Sequence, residues 1–214
     1  MHAVFTVPSS WTVVEPGADP DAAIARAVDE VFATKDRDSN ALARHWMRQR
    51  LGAAIASPEH TGAEVVLVAF PHQAHGSVVL PVSATMVRIP SPLTSPRDDP
   101  MRVLAAIAAR DPSAQTVPVL RTVALRTHRV CEAAEAVHSE LRASALEEPV
   151  QRDIGARLTH VPMLRARYVI PGMGRGAWYV VDFSALLGTD NSGLSELYLG
   201  LFDAFIEGIR QVTQ

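Results

Sequence analysis

Hydrophobic and polar positions alternate most regularly near the end of the chain. Across residues 157–170 the period is two. Leu164, Ala166, Tyr168 and Ile170 share one face of a predicted strand, and Met163, Arg165, Arg167 and Val169 share the other. Residues 177–183 repeat the pattern, with Ala177, Tyr179, Val181 and Phe183 opposite Trp178, Val180 and Asp182. The intervening Pro171-Gly172-Met173-Gly174-Arg175-Gly176 has the composition of a hairpin turn. Beyond it the period changes to three and four. Leu194, Leu197, Leu201, Phe205, Ile209 and Val212 form one stripe of a helix predicted over 193–212. Asp190 or Ser192 is placed to cap it, with Glu196 as a capping-box partner. The chain end thus reads strand, turn, strand, closing helix.

The same reading extends to the rest of the chain. Residues 3–7 and 11–14 are β-prone runs joined by Pro8-Ser9-Ser10, which predicts a strand and turn or a hairpin. Asp19-Pro20 sets a capping acid before a helix-start proline. Ile24, Ala27, Val28, Val31 and Phe32 then recur at helical spacing across 21–32. A second helical stretch over 40–56 has Leu42, Trp46, Met47, Leu51, Ala54 and Ile55 on one side. The pattern leaves open one long helix or a helical pair. Residues 63–70 are almost continuously apolar, as in a strand covered on both faces. Residues 77–89 predict another strand, with Pro81 at an edge or bulge. Four prolines make 90–100 a loop, and Asp99-Pro100 opens a helix to about residue 109. Residues 117–130 predict one or two strands. Residues 131–148 have helical composition and weak amphipathicity, so a helix, an edge segment and a solvated excursion over 131–150 all stay open.

Strands joined by short turns, with helices in blocks, predict an α+β fold: a central, mostly antiparallel β-sheet flanked by helices, not a doubly wound parallel sheet. A length of 214 residues suits one domain over 1–214, large enough to bury a core without staples.

Composition narrows the chemistry. A formal net charge of −3 argues against a nucleic-acid binder held by phosphate contacts. The single cysteine, Cys131, excludes an intramolecular disulfide and favours a reducing compartment. The opening residues lack a basic segment followed by a long apolar one, and no apolar run nears the roughly 18 residues of a membrane helix. The expectation is a cytoplasmic protein without membrane insertion.

No constellation predicts catalysis. His72 and His75, with His60 or Glu59 nearby, are the best metal candidates, but no HExxH pattern or cysteine pair supports them. Two exposed polar residues in a turn are the preferred reading. His128 and Cys131 are three apart, which on a strand puts them on opposite faces and disfavours a nucleophile–base pair. The glycines of 172–176 lie between strands, without the helix N-terminus of a phosphate loop. No nucleophile elbow, Walker motif or dinucleotide fingerprint is present. Lys35, the one lysine, lies in a charged linker and offers no good Schiff-base candidate. No cofactor is predicted.

The 19 arginines offer the remaining chemistry. Arg121, Arg126 and Arg129 lie on one segment, and Arg157, Arg165 and Arg167 on another. If those strands pair, the guanidinium groups form a face able to grip an acidic partner or an anionic ligand. The alternative is a solvated face paired with Asp182, Glu132 and Glu135. The predicted interaction surface combines the 90–100 loop with Arg121, Arg126, Arg165 and Arg167.

The run from Arg167 to Gly174, then Trp178-Tyr179-Val180-Val181-Asp182-Phe183-Ser184, then Leu197 through Phe202-Asp203-Ala204-Phe205, resembles the end of bacterial proteins with a PsbP-like α/β/α sandwich. Phe5-Thr6-Val7-Pro8 followed by Trp11 resembles their opening. The fold also occurs in the photosystem II subunit PsbP and in a Ran-GTPase-binding protein. The resemblance implies a binding or assembly role, docking onto partner proteins, without a common active site. The expectation is a non-enzymatic protein-interaction module. The alternative is a small-molecule-binding protein or degenerate enzyme with a pocket between sheet and helices, lined by His128 or Asp182 beside Tyr168.

Overall fold

The computed structural model describes residues 2–4, 11–33, 40–56, 63–69, 82–93, 98–119, 122–143, 147–157, 159–172, 177–187 and 193–212. Two capping acids start the first and third helices as the sequence predicts. Asp19 accepts a hydrogen bond from the Ala22 amide at 3.0 Å and opens α1 (Pro20–Val31). Asp99 accepts from the Met101 amide at 2.9 Å and opens α3 (Pro100–Ala108). The second helical stretch is a separate helix, α2 (Ala41–Ala56), packed on α1.

Among the described residues, seven strands form one antiparallel sheet. In chain order they are β2 (Trp11–Val14), β3 (Ala63–Ala69), β4 (Val82–Ile89), β5 (Gln115–Val119), β6 (Thr122–Glu132), β7 (Pro162–Ile170) and β8 (Trp178–Leu186). Their spatial order is β2-β3-β4-β8-β7-β6-β5. The run predicted as one or two strands is the β5–β6 hairpin. Pro118 lies on β5, at a sheet edge, where its missing N–H costs least. Helices cover both faces, so the molecule is an α+β sandwich with a central antiparallel sheet.

On one face lies α6 (Leu194–Glu207), above a core that includes Tyr168, Val181, Phe183 and Ala84. Phe183 stacks on Phe202 with ring centroids 4.3 Å apart and meets Tyr168 and Phe205 edge-on. Trp11 stacks on Phe205 and brings β2 into the same layer. The other face has two smaller cores. One joins Val14 of β2 to α1 and α2. The other joins Leu125 and Trp178 to Leu104 of α3.

Several sequence expectations change. The closing helix ends at Glu207, and residues 210–212 form β9 (Arg210–Val212), which pairs with β1 (His2–Val4). Of the two readings of the opening residues, the hairpin does not hold for the described strands, since β1 and β2 pair with different strands. The helix also turns a different stripe inward. Tyr198, Leu199, Phe202 and Ile206 are buried, whereas Leu197 is 63% exposed. Apolar residues almost encircle this helix, so periodicity alone permitted more than one buried stripe, and the bulk of Tyr198 and Phe202 selects this one. Its N-cap is Gly193, with φ 84° and no side-chain cap bond; Asp190 and Ser192 lie outside the described residues. Finally, residues 148–157 are helix α5 (Glu148–Arg157), and the strand predicted from 157 starts at Pro162.

Residues 133–161 leave the sheet after β6 and return at the start of β7. They hold α4 (Ala134–Ala143) and α5, which pack on each other. Glu132 closes the base of this hairpin. Its carboxylate accepts from the Val161 amide at 2.6 Å and the Ala134 amide at 3.0 Å, with His160 Nδ1 at 2.6 Å. The Val161 amide is the main reason that the Glu132 carboxyl is held below the usual range.

Candidate interaction face

The registers of β4, β8, β7 and β6 order the side chains opposite α6 into cross-strand rows. The first row is Val87, Val180, Val169 and Leu125. Val169 and Leu125 of this row belong to the core under α3. The second is Thr85, Asp182, Arg167 and Thr127, and the third is Ser83, Ser184, Arg165 and Arg129. The last, beside the base of the α4–α5 hairpin, is Leu186, Met163 and Cys131. Along each strand these rows are two residues apart, about 6.8 Å.

The second and third rows are polar and unevenly covered: Thr85, at the β4 end, is buried, and Ser83, Asp182, Ser184 and Thr127 are half-buried. Arg129 and Arg167 are exposed and Arg165 is half-buried. Arg167 donates to both oxygens of Asp182, at 2.7 and 3.0 Å, a bidentate cross-strand pair. The Ser83 and Ser184 hydroxyls are 2.8 Å apart. Arg165 lies directly opposite Arg129, so two like charges are neighbours across β6 and β7. Two strands separated by a long excursion therefore bring Arg129, Arg165 and Arg167 onto one face.

Arg126 does not share it. It lies one position out of phase with Thr127 and Arg129, points to the α6 side, and is only 7% exposed. Its guanidinium donates to the Asp203 carboxylate of α6 and to the Gln115 side chain of β5. The Tyr168 hydroxyl donates to the other Asp203 oxygen at 2.7 Å. Burial, with the Asp203 carboxylate beside it, pushes the Tyr168 hydroxyl far above its ordinary value. This network ties the closing helix to β5, β6 and β7. The sequence reading missed Asp203 and Gln115. A lone acid inside an apolar helix, between Phe202 and Phe205, was the signal available for Asp203.

The other predicted site residues do not assemble with these. Arg121, His60, His72, His75 and Glu59 lie outside the described residues, as do 94–97 of the proline-rich loop. Leu93 of that loop packs against the core under α3. Arg157 belongs to α5, off the sheet. Tyr168 and Asp182 stand on opposite faces, so the pocket expected from His128 or Asp182 beside Tyr168 cannot include Asp182. His128 and Cys131 likewise face opposite ways on β6. The His128 amide donates to the Ser113 hydroxyl at 2.9 Å, and Ser113 donates from its amide and hydroxyl to Asp111, holding that carboxyl below its usual range. An open cleft of about 500 Å³ lies between α4 and α5, lined by His138, Arg142, Gln151 and Arg152 among others.

Among the described residues no group of three or more His, Cys, Asp or Glu side chains is placed to hold a metal ion. Among them, too, no helix is long and apolar enough to cross a membrane. No protein-family model matches this chain, and no curated protein matches it closely enough to count as a relative.

Proposed function

We propose that this chain is a non-enzymatic interaction module that docks a protein partner on the arginine-bearing rows of its sheet. The observation that carries the reading is the β6–β7 part of the second and third rows, where exposed Arg129 and Arg167 stand beside half-buried Arg165, Asp182 and Ser184. The resemblance of the strand–turn–strand–helix ending to PsbP-like bacterial proteins supports the same reading, since known members of that fold class mostly dock onto partner proteins. The free thiol of Cys131 and the lack of a membrane helix among the described residues are compatible with a cytoplasmic setting.

The test is cross-linked affinity capture from the native cell extract, with the wild-type chain and Ser184→Trp in parallel. Ser184 sits near the centre of the third row, and an indole there blocks flat docking. A stoichiometric partner retained by the wild type and lost by a folded Ser184→Trp is the expected result. A partner held equally by both would take this face out of consideration.

A further inference from the structure

We infer that the cleft between α4 and α5 is a binding site for a small phosphate monoester. The cleft belongs to the excursion between β6 and β7, outside the docking rows proposed above. Three features of the helix pair point to this ligand.

The lining is the first. Two packed helices ordinarily turn apolar stripes towards each other. Here His138 and Arg142, one turn apart on α4, border the cleft. On α5 its border is Glu148, Gln151, Arg152 and Gly155, spaced as one helix face. None of these is a large apolar residue. The helices therefore enclose a polar cleft of about 500 Å³, within the range of small-molecule sites, which often lie between helices.

Gly155 is the second. A glycine inside a helix is destabilising relative to alanine. A Cβ added at Gly155 would lie 3.3 Å from both Cε1 and Nδ1 of His138. The glycine thus gives the imidazole a close seat against α5, at the wall of the cleft.

Charge is the third. Arg142 and Arg152 are permanently cationic, and the His138 ring has an N–H to donate whether neutral or charged. Glu148 is the one acid in the lining, and it meets Arg152 at 3.7 Å with the two side chains 80% and 73% exposed. Such an exposed pair is weak, so an incoming anion can take over the guanidinium. Two guanidinium groups match the charge of a phosphate monoester, about −1.5 to −2 near pH 7, and its three acceptor oxygens. A carboxylate, with a single charge, would satisfy only one of them. Gly155 and the methylene stems of the arginines leave a less polar wall for the organic body.

The probe is phenyl phosphate, titrated to millimolar concentration into the full chain at constant ionic strength and followed by amide NMR. Benzoate and inorganic phosphate are the comparison ligands. Expected are saturating shifts confined to α4 and α5, with the Gly155 amide among them, and weaker binding of both comparison ligands. Arg142→Gln and Arg152→Gln should each weaken phenyl phosphate about tenfold. Arg102→Gln, an exposed change on α3, should leave it unchanged. Glu148→Gln should tighten it, because the carboxylate no longer competes for Arg152. No saturation at millimolar phenyl phosphate, equal weakening by Arg102→Gln, or a Glu148→Gln affinity no better than wild type overturns the inference. Benzoate or inorganic phosphate binding as tightly as phenyl phosphate overturns it as well.

Discussion

The two faces of the sheet use the same kinds of residue for different ends. On the α6 side, aromatic rings interlock from Trp11 through Phe205 and Phe183 to Tyr168, and the one arginine among the buried residues, Arg126, is tied to Asp203 and Gln115. On the opposite side the helices meet the sheet in two separate cores, and arginines stand exposed between apolar rows. Arg126 and Arg167 occupy neighbouring strands, yet one fastens a helix and the other lines a surface. The difference lies in phase along the strand, and it sets the energetics. A charge withdrawn from water requires its partner, whereas an exposed pair contributes little and remains available for recognition.

The largest effect that would sharpen this contrast lies in the aromatic layer. Phe202→Ala should cost about 3–5 kcal/mol in urea unfolding, because Phe202 is fully buried and stacked on Phe183. A loss below about 1 kcal/mol would mean that α6 is not the principal cover of this face. Next comes the buried network. Asp203→Ala strands the Arg126 guanidinium and removes the Tyr168 acceptor, for an expected loss of about 2–3 kcal/mol, moderated because Asp203 is partly exposed.

The same network predicts a pH dependence at its alkaline end. The folded Tyr168 holds its proton more tightly than the unfolded chain, whose reference value is 10.0. Its contribution is therefore complete below pH 10 and shrinks above it, by about 1.4 kcal/mol per pH unit, as the unfolded tyrosine ionises first. Tyr168→Phe should flatten that slope in chemical denaturation between pH 9 and 11; an unchanged slope would show that Tyr168 is not its source. On the open face, by contrast, Arg167→Ala should shift stability by only about 0.5–1 kcal/mol at most, since the Arg167 side chain is 57% exposed.

Much of the fold was legible because it depends on local chemistry. Asp19 and Asp99 announced their helices, since a capping carboxylate bonds an amide only two or three residues on. The period-two pattern of residues 162–170 assigned Tyr168 and Arg167 to opposite faces, and the burial of the strand follows it. The arginine face was legible in part. Alternation separates Arg126 from Arg129 on one strand, but only the β6–β7 register sets Arg129 against Arg165.

The closing helix shows where local pattern fails. With leucine and phenylalanine on nearly every side, its sequence did not choose a stripe, and Leu197 lies exposed where the pattern buried it. Nor could the pattern show that residues 210–212 leave the helix to pair with residues 2–4 at the far end of the chain.

The sequence by itself determined the helix starts, the strand periodicity, the α+β class and the surplus of arginine. Those follow from hydrogen bonds and side-chain alternation within a few residues. Tertiary structure alone decided which arginine is buried against Asp203, which ones share an open row, and which stripe of α6 meets the sheet. Each of these depends on partners distant in sequence, and long-range packing and strand register, not local preference, bring such partners together.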